Sequence, residues 1–157
     1  PYMTVPKEDG NTEWAKKSFK GMVRDINTAV ATLQKQCGGN FIPSKHSFKL
    51  GIALSCDAYL NTVNEFGISV KEWFAKTYPK AEILPIPEFD NALAGDNVMY
   101  VKLDELAGQP VVEQIVPAAV RLVGAVPRAT GLYELYPDAT AGAFVEQPLG
   151  IVRFVGI

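Results

Sequence analysis

Apolar residues recur along residues 12–37 with the spacing of one α-helix face. They are separated by four, three, four and three positions: Phe19, Val23, Ile26, Val30 and Leu33. Asn11 or Thr12 offers a side-chain oxygen to cap the first turn, and Gly38-Gly39 favours the left-handed backbone that ends helices. The pattern predicts one continuous helix from Thr12 to Cys37, about 38 Å long.

The hydrophobic period changes after this helix. Strict alternation in Phe48–Leu54 predicts a strand with one face in a core. Ser55 is a candidate cap for a short helix that runs to Glu65 and ends at Gly67. The side chains that this helix is expected to bury are Tyr59, Leu60 and Val63.

A second helix is predicted to begin after Ser69 and to stop at Pro79. Ser69 and Glu72 have the spacing of a capping box, in which each side chain accepts a hydrogen bond from a free backbone amide of the other. Two strands follow, Glu82–Ile86 and Val98–Leu103, with a loop from Pro87 to Asn97 between them.

Only short β segments separated by Pro and Gly are predicted after Val111. Their predicted bounds are Val111–Val116, Val120–Val126, Leu132–Tyr136, Ala143–Gln147 and Leu149–Val155. Helices and strands therefore occur in separate runs, which is typical of the α+β class. The chain has 157 residues, the size of one folded body with at most two lobes.

Charge is unevenly distributed. Residues 1–49 hold eight Lys/Arg and four Asp/Glu, whereas residues 50–157 hold seven and thirteen. The polar face of the long helix is basic, and it includes Lys16, Lys17, Lys20 and Arg24. Such a face is suited to nucleic-acid phosphates, although a solvated lysine face is the commoner role. No apolar run is long enough to cross a bilayer, so no membrane partner is expected.

The residues that catalysis requires are scarce. His46 is the only histidine, and Cys56 is the candidate nucleophile because a helix start can lower the pKa of a thiol. A buried structural cysteine is the competing interpretation, since unpaired cysteines are usually buried. The other cysteine is Cys37, and two thiols in a chain of this length suggest a reducing compartment. No metal motif or phosphate loop is present, so we expect no cofactor, no metal and no small-molecule substrate.

The order of these patterns resembles the later part of a tailed-phage major capsid protein of the Hong Kong 97 type. A long helix followed by the strand and cap Phe48–Ser55 is similar to the family's passage from its peripheral to its axial domain. The helix Val70–Pro79 with the strand Glu82–Glu88, and the closing run Thr140–Ile157, are similar to later elements of the family.

This resemblance implies an α+β Hong Kong 97-type fold, with residues 1–47 in the peripheral domain, 48–130 in the axial domain and 131–157 returning to the periphery. It implies a structural shell subunit without catalytic residues. Many identical copies are expected to assemble in the bacterial cytoplasm and to enclose double-stranded DNA in the virion. The loop residues expected to contact neighbouring copies are Glu88, Phe89, Asp90 and Asn91. The basic helix face is expected to lie toward the DNA.

Two alternatives remain open on the sequence. An encapsulin-type nanocompartment shell protein shares the fold, and a small cysteine hydrolase would use Cys56 and His46. Family members carry an arm and an extended hairpin before the long helix, whereas only residues 1–10 precede it here. The chain therefore resembles a fragment or proteolytic core, and we expect that it does not close shells alone.

Overall fold

The computed structural model describes residues 2–115, 124–128, 131–135 and 142–157. The chain divides into two compact units, one formed by Pro1–Val111 with Gln147–Ile157 and the other by Val112–Glu146. The domain boundaries predicted from the sequence stay a prediction, because these units are defined by internal contacts and not by a role in a shell.

A mixed five-stranded sheet forms the centre of the first unit. Its strands are β1 (Met3–Thr4), β2 (Phe48–Ala53), β3 (Ala81–Ile86), β4 (Val98–Leu103) and β11 (Ile151–Val155), in the spatial order β1-β11-β4-β2-β3. Strand β2 lies parallel to β3 and antiparallel to β4, and β11 joins β4 to β1. The predicted strands β2, β3 and β4 are confirmed to within one residue at each end.

Strand β2 is buried on both faces, whereas its alternating sequence predicted one buried face. Residues 50–53 are all buried, and only Lys49 is half-buried. Gly51 explains part of this burial, because the Phe89 ring and Ile86 lie where its side chain would be. Strand β2 lies between β4 and β3, so both of its edges are shielded by neighbouring strands. Side chains that cover its second face therefore bury the whole strand.

The long helix is shorter than predicted. Helix α1 is Phe19–Gln36, about 27 Å long, and Trp14–Lys16 forms a separate 3-10 turn. Ser18 is the N-cap, in place of Asn11 or Thr12, and its hydroxyl accepts a hydrogen bond from Gly21 N. The predicted continuous helix from Thr12 is therefore wrong. Its apolar face is confirmed, with Met22, Ile26 and Leu33 fully buried.

Helix α2 (Val70–Thr77) begins and ends as predicted. The Ser69 and Glu72 side chains form both hydrogen bonds of the capping box. The helix places Phe74 in an aromatic cluster with Phe48 and Tyr78, whose rings meet mainly edge to face at 5.4–6.2 Å between centroids. These contacts join the helix to the sheet.

The segment predicted as a short helix after β2 is a 3-10 helix, Leu54–Asn61. Leu60 is buried as predicted, but Tyr59 and Val63 are exposed, so their predicted burial is wrong. A 3-10 helix has three residues per turn, and this moves Tyr59 away from the face that an α-helical period assigns to it. Val63 lies beyond the end of this helix at Asn61, so no helical face includes it.

The second unit consists of antiparallel pairs. Strand β7 (Val112–Ile115) pairs with β10 (Gly142–Val145), and β8 (Gly124–Arg128) pairs with β9 (Gly131–Leu135). In the first unit, β5 (Glu105–Leu106) and β6 (Gln109–Pro110) form a tight hairpin. Each predicted β segment after Val111 overlaps one of these strands or β11. The predicted positions 116, 120–123, 136, 140 and 141 lie outside the described residues.

Candidate functional surfaces

The loop from Pro87 to Asn97 contains the four residues predicted to contact neighbouring subunits. Phe89 is half-buried and stacks on Tyr100 of β4, with 4.8 Å between ring centroids and 30° between planes. A Cβ atom at Gly51 would lie 2.9 Å from this ring. Phe89 therefore anchors the loop to the sheet of its own chain and leaves little of its surface for a partner.

Asp90 fixes the base of the same loop. Its Oδ1 accepts hydrogen bonds from Ser55 N at 3.0 Å and from Ser55 Oγ at 2.5 Å. Asn97 completes the base, since its Oδ1 accepts from Asn91 N and its Nδ2 donates to Ser55 Oγ. Ser55 therefore ties down this loop and does not cap the helix that was predicted to follow it.

The tip of the loop is a two-residue turn. Leu93 and Asp96 exchange two backbone hydrogen bonds, and Ala94 and Gly95 both have positive φ, at 53° and 91°. Residues 91–96 are exposed, as is Glu88. Of the four predicted contact residues, Glu88 and Asn91 are thus available to a partner, and the exposed tip adds residues that the sequence did not single out.

The predicted basic helix face is interrupted at Lys17, whose expected exposure is wrong. Its Nζ lies 2.5 Å from Asp25 Oδ2 and donates a second hydrogen bond to the Pro6 carbonyl at 2.8 Å. Trp14 Nε1 donates to the same carboxylate oxygen at 3.1 Å. The Lys17 and Asp25 side chains are both fully buried. Lys17 therefore belongs to the core and cannot face DNA.

Burial raises the pKa of Asp25, because an ionised carboxylate loses hydration there. Hydrogen bonds and charge from Lys17, with the Trp14 indole, act in the opposite direction. Asp25 Oδ1 is buried without a hydrogen-bond partner among the described residues. The pair is therefore a polar contact inside an apolar core, where losing either member is costly.

Glu8 lies at the start of α1, among the remaining cations. Its carboxylate accepts from Ser18 N at 3.0 Å and from Ser18 Oγ at 2.6 Å. The hydroxyl contact holds the pKa of Glu8 below its ordinary value. Arg24 donates to the Lys7 carbonyl, and Glu8, Lys20 and Arg24 line one cleft of about 610 Å³. Lys16 pairs with Glu13 at 2.9 Å. The surface is therefore less basic than the sequence indicated.

The cysteine-hydrolase arrangement is not formed. His46 precedes β2 and Cys56 follows it, so the six-residue strand separates them by about 20 Å. Burial raises the pKa of the Cys56 thiol, which disfavours a reactive thiolate. His46 Nδ1 accepts a hydrogen bond from Ile42 N. Both cysteines are buried and free.

Neither a metal cluster nor a membrane-spanning helix occurs in the described part of the chain. No three or more His, Cys, Asp or Glu side chains there converge in a way that could hold a metal ion. Among the same residues, no helix combines the length and the apolar character needed to span a membrane.

The fold is that of phage capsid proteins. It is similar to the capsid of Myoviridae phage XM1, with a TM-score of 0.72 and 12% identity over 99% of this chain and 52% of that one. It is also similar to a virus-like particle from Pyrococcus furiosus, with a TM-score of 0.60 and 18% identity over 98% and 55%. This chain spans about half the length of these relatives.

The family model of the Pa193 gp26 major capsid protein matches residues 1–156, and the chain belongs to that family of phage structural proteins. No curated protein matches the sequence. This family consists of capsid structural proteins and is not an enzyme family.

Proposed function

We propose that this chain is part of the structural subunit of an icosahedral phage or prophage capsid with the Hong Kong 97 fold. Many copies of the subunit assemble in the host cytoplasm and enclose double-stranded DNA in the virion. The family match over residues 1–156 is the observation that carries this proposal. The fold similarity to a phage capsid over 99% of the chain supports it independently of sequence identity.

The loop from Pro87 to Asn97 is suited to contacts around the symmetry axes of such a shell. Its base is held by Asp90 and Asn97, so the exposed tip is ordered before a neighbour binds. Pre-ordering reduces the entropy lost on association. We assign the contact to Glu88, Asn91 and the turn between Leu93 and Asp96.

The DNA-facing surface is reduced to Lys16, Lys20 and Arg24. These side chains are exposed, whereas Lys17 is not. Phosphate contacts of this kind carry no base information, so binding would be independent of sequence and sensitive to salt. Glu8 lines the same cleft as Lys20 and Arg24, and its negative charge weakens their attraction for DNA.

Electron microscopy of the complete gene product that contains this chain tests the shell. We expect regular closed particles, and a variant lacking Ala92–Asp96 should form fewer of them. As a control, Ala107→Asn in the exposed β5–β6 turn should leave the particle yield unchanged. Soluble subunits that never close into particles would contradict the proposal. Particles that enclose a protein cargo and no DNA would favour the nanocompartment alternative.

DNA binding requires its own measurement. The variant Lys16→Glu/Arg24→Glu, which leaves Lys20 unchanged, should weaken binding to random duplex DNA and flatten its salt dependence. The slope of log affinity against log salt should fall by about 0.9 for each phosphate that the variant no longer neutralises. Lys71→Glu/Lys76→Glu, which changes two exposed lysines of α2, is the matched control. Equal effects in both variants would exclude a specific DNA-facing role for α1.

A further inference from the structure

An exposed phenylalanine stands out on the surface of the first unit. Phe66 is 84% exposed, more than any other large apolar side chain in the described residues. Val63, three residues earlier, is 56% exposed. Leaving a phenylalanine in water forgoes a large part of its burial free energy. Exposed apolar groups of this kind often mark contact sites.

The loop that presents Phe66 is held by hydrogen bonds to the side chain and backbone of Asn64. Asn64 Oδ1 accepts from Phe66 N at 2.9 Å and from Ile68 N at 3.0 Å, and Asn64 N donates to the Ile68 carbonyl. Gly67 adopts a φ of 73° that closes the turn. Below it, Val63 and Ser69 form a β-bridge. The Phe66 side chain therefore projects from an ordered base.

A cleft of about 380 Å³ lies beside this side chain. It separates the start of α1 from the Phe66 loop, and it is lined by Ser18, Phe19, Lys20, Val63, Asn64, Glu65 and Phe66. A phenyl ring is small enough to enter such a volume. Phe19 is half-buried and supplies an apolar wall. The same patch therefore carries both a projecting ring and a recess that can accept one.

The charges of the patch are complementary as well. Glu65 and Lys20 are exposed on opposite sides of the cleft, and neither forms an ion pair with another described residue. A surface that carries both halves of a contact meets the requirement for a twofold interface, in which identical patches face each other. Rotation by 180° about an axis that passes between the two residues, in the plane of the contact, would place Glu65 of each copy opposite Lys20 of the other.

We propose that a second copy of this chain binds here through a twofold contact. Phe66 of each copy enters the cleft of the other, with Glu65 and Lys20 paired at the rim. Lys20 is then withdrawn from the DNA-facing surface, on which Lys16 and Arg24 remain. The contact deepens the proposed capsid function, on which it rests for the presence of many identical copies. It would link two subunits of a shell independently of the Pro87–Asn97 loop.

Sedimentation equilibrium of the chain tests the contact directly. We expect reversible dimers, and Phe66→Ala should weaken their association about 30-fold, as truncation of a buried aromatic anchor does. Leu149→Ala, at a side chain that is 52% exposed and outside the cleft, should leave the dissociation constant unchanged. A chain that is monomeric at all concentrations, or equal effects of the two variants, would overturn the proposal.

Charge exchange identifies the partner groups. Glu65→Lys and Lys20→Glu should each dimerise less than the unchanged chain, because like charges then face each other across the interface. An equimolar mixture of the two variants should recover dimers, since both cross-interface pairs become attractive. Failure of the mixture to recover them would exclude this pairing. Assembly beyond dimers that requires Phe66 would exclude the twofold arrangement.

These outcomes are separable from those of the capsid proposal. If the complete gene product forms DNA-containing shells while Phe66→Ala changes neither dimerisation nor particle yield, the contact fails and the capsid function stands. If the complete product forms no particles but the chain dimerises through Phe66, the contact stands and the capsid function fails.

Discussion

Lys17 Nζ and Asp25 Oδ2 lie 2.5 Å apart, and both side chains are excluded from water. The two residues are eight positions apart, which on a continuous helix would separate them by about 12 Å along the axis. The chain must turn between the 3-10 segment Trp14–Lys16 and α1 to bring them together. This ion pair therefore depends on the interruption that shortens the helix.

Removal of one partner should strongly destabilise the fold. Asp25→Asn keeps the side-chain shape but leaves the buried Lys17 ammonium unpaired, so we expect the free energy of unfolding to fall by about 3–5 kcal/mol. Lys17→Met/Asp25→Leu should lose less, because neither charge remains. Lys16→Met, in the exposed pair with Glu13, should change it by less than about 1 kcal/mol. Urea denaturation measures all three, and a mild effect of Asp25→Asn would contradict the expectation.

Glu8 should make stability depend on pH. Its pKa is lower in the folded chain than the ordinary 4.5, chiefly because of the Ser18 hydroxyl. Its contribution is therefore fully present above about pH 4.5 and is lost as pH falls through the folded pKa. Above that pH, Glu8→Gln should lower stability by up to about 1 kcal/mol, as expected for a partly exposed charge at a helix N-terminus. Unfolding curves of the two proteins should converge in acid, and a pH-independent difference would argue against an ionic contact.

Gly21 should be required for this contact. A Cβ atom there would lie 1.8 Å from Glu8 Oε2, so Gly21→Ala must displace the carboxylate. Alanine by itself favours a helix interior over glycine by about 1 kcal/mol. In the unchanged chain, we expect the stability gained by Gly21→Ala to be smaller than this or to become a loss. In the Glu8→Ala variant, the same substitution should give the full gain. A double-mutant cycle by urea unfolding measures the coupling, and additive effects would show that the two positions are independent.

The β5–β6 hairpin should be open to stabilisation. Ala107 has a φ of 53° and precedes Gly108, so both central residues of this two-residue turn are left-handed. Alanine in this conformation is disfavoured by about 1–2 kcal/mol, whereas asparagine adopts it readily. Ala107→Asn should therefore raise the thermal unfolding midpoint, and Ala107→Val should lower it. A lower midpoint for Ala107→Asn would contradict the assigned turn geometry.

Local sequence patterns determined several elements of this protein. The Ser69–Glu72 capping box predicted the start of α2, and the apolar runs predicted β2, β3 and β4. The candidate contact loop was also located by sequence, since prolines and turn-forming residues lie between β3 and β4. These features depend on residues close together in the chain, so the spacing of residue types is enough to predict their local geometry.

Tertiary structure decided where α1 begins, where Lys17 lies and which strands are neighbours. Glu8 reaches Ser18 across ten positions, and β11 pairs with β4 from about fifty positions away. A hydrophobic period contains no information about such distant partners, so it continued the helix through residues 12–18 and assigned Lys17 to solvent. The Glu8–Ser18 and Lys17–Asp25 contacts, which make the helix begin later and bury Lys17, form only when the folded chain brings these side chains together.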